Sequence, residues 1–101
     1  MATIPKRLYK GTVGTSASTA YTVPSGITTI VKNIVIANKT SSAATVTITA
    51  AGTEIVYQNW ISANDTVVLD LSLVMHASET ITVQAGTANA INIYISGVEA
   101  V

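Results

Sequence analysis

Residues 44–50 read "ATVTITA". Successive side chains of an extended chain point to opposite sides. Ala44, Val46, Ile48 and Ala50 therefore share one face, and Thr45, Thr47 and Thr49 share the other. An apolar face backed by a hydroxyl face is the pattern of a half-buried strand, and β-branched residues suit a pleated surface. The same period of two recurs in three other places. Ile81, Val83 and Ala85 oppose Thr80, Thr82 and Gln84. Ile91, Ile93 and Ile95 oppose Asn92, Tyr94 and Ser96. Val67, Leu69, Leu71 and Leu73 point inward while Thr66, Asp70 and Ser72 point out.

The stretch "ITTIVKNIVIAN" at 27–38 departs from this pattern. Strict alternation puts Ile30, Ile34 and Ile36 on one face, interrupted by Lys32. It puts Val31, Val35 and Ala37 on the other, interrupted by Asn33. Both faces are largely apolar. Such a strand is either central and covered twice, or its outer face meets another subunit.

Turn signals separate the runs: Pro24-Ser25-Gly26, Asn38 to Ser42, Ala51-Gly52, Ser62 to Asp65, Ala77-Ser78 and Ala85 to Asn89. Pro presets φ and Gly accepts a positive φ, so 23–27 reads as strand, corner, strand. The spacing predicts about eight strands, near 7–14, 19–23, 27–37, 44–50, 54–58, 66–74, 79–84 and 90–98. No segment carries a helical apolar stripe. The fold expected is a single antiparallel β-sandwich, jelly-roll-like, with the strand order left open. It occupies residues 8–101. Residues 1–7, "MATIPKR", fit no strand well, since Pro5 lacks a donor and Lys6-Arg7 need solvent or an acidic partner. They are expected to form an N-terminal arm.

At 101 residues the chain makes one domain, large enough to hold a core without staples, and with no Cys it has none. Five bases balance five acids, and a tenth of the residues are charged against a usual quarter or so. The polar surface falls to 16 Thr, 9 Ser and 6 Asn. Zero net charge argues against a nucleic-acid partner. No apolar run reaches the ~18 residues of a membrane helix, so no membrane partner is expected. The first ten residues also lack the apolar core of a secretory signal. All five bases (Lys6, Arg7, Lys10, Lys32, Lys39) precede residue 40, and all five acids (Glu54, Asp65, Asp70, Glu79, Glu99) follow residue 53. If the segregation survives folding, opposite patches favour head-to-tail contacts between copies.

Catalytic chemistry finds little footing. His76 is the single His and reads as a turn residue near Glu79; zinc sites draw on clusters of His and Cys. Asp65 is expected to cap a turn. No calcium loop, phosphate loop or nucleophile elbow is present, so no cofactor, no metal and no enzymatic activity are expected. "NKT" at 38–40 and "NDT" at 64–66 match a glycosylation acceptor by chance in a Thr-rich chain. The aromatics are Trp60 and Tyr9, Tyr21, Tyr57 and Tyr94. Trp60 is expected to plug one end of the sandwich, with an intersubunit anchor or a sugar platform as the alternatives.

Several of these motifs occur together. Val23-Pro24-Ser25-Gly26 precedes the long strand, Ala37-Asn38 closes it, and Leu69 to Leu73 and Ser78 to Ile81 follow. Gly97-Val98-Glu99 ends the chain's last strand. Across residues 19–99 the series resembles a small β-sandwich found among structural proteins of tailed bacteriophages, of the head-decoration, collar-fibre or tail-accessory type. The resemblance implies a non-enzymatic virion subunit, assembled in the host cytoplasm. It would dock in many copies on major capsid or tail proteins and form a homo-oligomer such as a trimer. The alternative is a carbohydrate- or host-surface-binding module of a fibre or tail. Candidate contact residues are Ile4, Lys6, Arg7, Tyr9, Tyr57, Trp60 and Tyr94, those of the arm before the aromatics.

Overall fold

The computed structural model describes residues 3–100, and their alternating runs become eight strands. These are β1 (Thr3–Thr12), β2 (Ser18–Thr22), β3 (Thr28–Asn38), β4 (Ala44–Ala50), β5 (Thr53–Ile61), β6 (Thr66–Met75), β7 (Thr80–Ala85) and β8 (Ile91–Ala100). One sheet has the order β1-β8-β3-β6 and the other β2-β7-β4-β5, with every pair antiparallel. Only β4 and β5 form a local hairpin; the other connections cross from one sheet to the other. That crossing order is a jelly roll. The hairpin turns on Ala51 and Gly52, both at positive φ, as a tight two-residue connection needs.

The core lies between the sheets and is built from the inward parity of each strand. Ile34, Ile36, Ile48, Ile81, Ile93 and Ile95 are fully buried there. Each such side chain stabilises the fold by roughly 1.5–3 kcal/mol of transfer free energy. Buried Asn38 fastens the end of β3. Its amide donates to the Ser42 and Ile61 carbonyls at 2.9 and 3.0 Å, and its oxygen accepts from the Thr40 N–H and hydroxyl. An amide spent this way cannot carry a glycan, which disposes of the 38–40 acceptor match.

Two expectations are corrected. Residues 3–7 are not an arm apart from the sandwich. They form the first half of β1, paired with β8 from Thr3↔Ala100 to Arg7↔Ser96. β1 is an edge strand, where a Pro and two cations sit at no cost to a ladder on the outer side. Met1 and Ala2 of the expected arm, and Val101 of the expected sandwich, lie outside the described residues.

The second correction concerns β3, which does not alternate strictly. Its register with both neighbours shifts between Val31 and Asn33. Against β8, Lys32 is the extra residue of a bulge, whereas against β6 the extra residue lies on β6, between Leu73 and Asp70. The bulge at Lys32 switches the side-chain parity of β3 beyond it. Val31, Ile34 and Ile36 are therefore the inward residues, while Ile30, Val35 and Ala37 face out, half-buried.

Candidate functional site

The inward side of β1 meets the other sheet through a polar lock. Lys6 sits opposite Gly97, beside Glu99 on the same face of β8, and its Nζ lies 3.3 Å from both carboxylate oxygens. The Tyr21 hydroxyl, carried by β2, donates to Glu99 Oε2 at 2.6 Å. A phenol has one proton, so Thr29 Oγ1, 2.8 Å from the same oxygen, is left to donate to it. Glu99 is only 8% exposed, yet its hydrogen bond from Tyr21, and then Lys6, hold its pKa below the usual carboxylate value. Burial, with Glu99 adding to it, pushes the Tyr21 phenol up to about 12. The lock ties β1, β2, β3 and β8 together. Lys6, expected as a subunit contact, is spent inside the subunit.

Strand registers order the outer face of the β1-β8-β3-β6 sheet into rows, because residues opposite one another across a ladder share a face. Pro5, Val98, Ile30 and Val74 form an apolar row. Arg7, Ser96, Asn33 and Asp70 form a polar one, in which Asn33 Nδ2 donates to Asp70 Oδ1 at 3.0 Å. Lys10, Tyr94, Val35 and Val68 form the next. Val68 and Val74, at the β6 end of their rows, are each 54% exposed. The polar row thus begins with a cation on one edge and ends with an anion on the other.

The opposite flank of the sandwich is open. Edge strands β5 and β6 flank a groove of about 310 Å³, lined by Ile55, Val56, Leu69, Leu71 and Leu73 with Asp70 and Ser72. Beyond it on β5, Tyr57 and Trp60 are 66% and 68% exposed. Trp60 therefore does not plug the sandwich. It pairs with Thr45, which faces out, while its neighbour Ile61 takes the buried position opposite Ala44. Gln58 at positive φ marks the bulge between Tyr57 and Asn59, and its N–H is held by Thr47 Oγ1 at 3.0 Å.

The seven candidate residues do not converge on one place. Ile4, Arg7 and Tyr94 lie on the β1 flank of their sheet, where Ile4 and Tyr94 are exposed. Tyr9 also sits there but packs half-buried against the core. Tyr57 and Trp60 lie on the far flank. Sequence reasoning passed over Val68, Val74 and Ile55 as contact residues. The two valines were readable as apolar residues at the outward parity of β6. His76 begins a tight turn, its backbone N–H donating to Glu79 Oε1 at 2.7 Å. Asp65 Oδ1 accepts the Thr66 N–H at 2.9 Å, as a cap. Among the described residues no three of His, Cys, Asp or Glu gather as a metal site would require.

No family's sequence model matches the chain, and no curated protein matches it. Among solved structures, the Drosophila NLP core superimposes with a TM-score of 0.55 at 16% identity, covering 95% of this chain and 100% of that one. The crystal structure of that protein bears on its pentamer formation and histone binding. At this identity the likeness is one of fold.

Proposed function

We propose that the chain is a non-enzymatic structural subunit of a tailed-bacteriophage virion, a capsid decoration protein or a related head or tail accessory, docking in many copies. The observation that carries the reading is the placement of large apolar and aromatic side chains outside the buried core. Trp60, Tyr57, Val68, Val74 and Ile4 all stand in solvent although the core has no need of them there. A surface with few charges and exposed aromatic anchors suits permanent contact with a neighbour. The resemblance of its turn and strand motifs to those of phage sandwich proteins is what suggests the kind of neighbour. Repetition of the subunit would let weak contacts add up. Histone binding is not carried over from the NLP core, because five acids balanced by five bases give no acidic surplus to hold a basic partner.

The test is co-purification. A tagged copy expressed during phage growth, in the bacterium whose phage carries the gene, is expected to band with intact particles at many copies each. Its absence from the particles overturns the reading.

A second reading is a carbohydrate- or host-surface-binding module, favoured by the exposed Trp60 and Tyr57 pair on β5. Aromatic faces beside hydroxyl side chains such as Thr45 and Thr47 can stack on a sugar ring. Quenching of Trp60 fluorescence by a panel of soluble glycans is its signature, and an unchanged spectrum with every glycan removes it.

A further inference from the structure

We infer that a second copy of this chain docks head to tail on the sandwich, the β1 edge of one copy against the β6 edge of the next. This goes beyond the virion reading and stands without it. The two edges match row by row. Within one sheet the ladders fix Pro5 level with Val74, Arg7 level with Asp70, and Lys10 level with Val68. A copy set beside the first at the same height therefore brings Pro5 to the neighbour's Val74 and Arg7 to its Asp70. It also lays the Lys10 stem along Val68. Apolar meets apolar on one side of a cation–anion contact, and an alkyl stem covers a valine on the other. Long basic side chains cover apolar surface in this way while keeping the charge in water.

The charges available support the same arrangement. Among the described residues the Lys6–Glu99 contact is the one ion pair, and neither Arg7 nor Lys10 has a described carboxylate in ion-pair contact. Glu54, Asp65 and Asp70 lie on or beside β5 and β6. One cation, Lys32, leans toward that flank from the β3 bulge and donates to Ser72 Oγ at 3.0 Å. It stays one strand in, and Asp70 remains the outermost charge of its row. The two edges do not zip into a continuous sheet. β6 spends four residues from Val74 to Asp70 where β1 spends two from Pro5 to Arg7, so backbone groups fall out of step. Side chains make the contact, and the bulges keep the edges from open-ended pairing. The interface is heterologous: two different edges meet, and repetition gives a ring or a filament.

Charge reversal tests this without disturbing the core, since Arg7 and Asp70 are exposed. Light scattering over a concentration series is expected to show wild-type association that weakens with salt. Arg7→Asp alone and Asp70→Arg alone each place like charges at the contact, and each is expected to raise the concentration at half-association at least about tenfold. The double variant Arg7→Asp/Asp70→Arg puts opposite charges at every junction of a ring of any size or of a filament and is expected to restore association. An oligomer that persists in either single variant overturns the inference, as does a failure of the double variant to reassociate. A wild-type chain that stays monomeric at every concentration also overturns it, while leaving docking on a virion lattice intact. Absence of the chain from phage particles would do the reverse. Unchanged thermal midpoints in the two variants keep loss of folding from imitating the result.

Discussion

At the residue scale, the decisive group is Glu99, a buried carboxylate held by one phenol and one ammonium. Its folded pKa lies below its unfolded value, so the native state prefers the ion. That preference contributes stability above the unfolded carboxylate range and is lost as pH falls through the lower, folded value. Tyr21 works at the other end of the scale. Its folded value of about 12 exceeds the ordinary 10.0, so the folded state holds the phenol proton more tightly. Stability from this source is complete below pH 10 and drains away as pH rises toward 12. Urea midpoints measured across pH are expected to fall at both extremes. Tyr21→Phe removes the alkaline fall, and at neutral pH it costs about 1–3 kcal/mol, because it takes a donor from a buried charge and a partner from Thr29. An alkaline fall that persists in this variant would place the titrating group elsewhere.

At the element scale, β3 and β8 fit together through one irregularity on each. Lys32 bulges from β3, and Gly97 of β8 pairs with Val31, the residue just before the bulge. A Cβ at Gly97 would collide with the Ile30 carbonyl oxygen and lie 3.2 Å from Leu8 Cδ1. The backbone carbonyl cannot step aside, so Gly97→Ala is expected to cost about 1–3 kcal/mol in urea denaturation. The bulge also sorts the isoleucines. Ile34→Ala empties a fully buried site and is expected to cost about 2–5 kcal/mol, and Ile30→Ala, on the half-buried outer face, clearly less. Equal costs would mean that strict alternation had been right after all. The bulge is also where legibility in the sequence gave out. The strands of period two, such as 44–50 and 80–85, could be read nearly to the residue, because one buried face demands apolar residues at every second position. β3 has apolar residues on both sides, so a one-residue slip of parity leaves no mark in its composition. The edge strand β1 was misread for a related reason: with one neighbour and little burial, it has no pattern to enforce. Trp60 was misplaced because size and apolarity argue for burial, while its neighbour Ile61 holds the inward position.

At the scale of the whole molecule, the two flanks of the sandwich do different work, and β1 belongs to both the fold and the surface. Its inward residues Lys6 and Leu8 serve the subunit, while Arg7 and Lys10 point away from it. An arm that only reached a neighbour could be removed without touching the thermal midpoint. β1 cannot. Deleting residues 1–7 strips the first half of the strand from β8, leaves Glu99 without Lys6, and opens that part of the β8 backbone to water. Lost ladder bonds at about 1 kcal/mol each, in a domain whose midpoint moves about 4–8 °C per kcal/mol, are expected to lower the midpoint by at least about 8 °C. Arg7→Ala removes an exposed side chain and is expected to leave stability within about 0.5 kcal/mol. Association should fall in both variants, since both lose the cation that faces Asp70. Calorimetry paired with light scattering separates the two roles of the strand. A truncated chain with an unchanged midpoint would return residues 1–7 to the status of a free arm, and would mean that the pairing with β8 contributes nothing the core does not already supply.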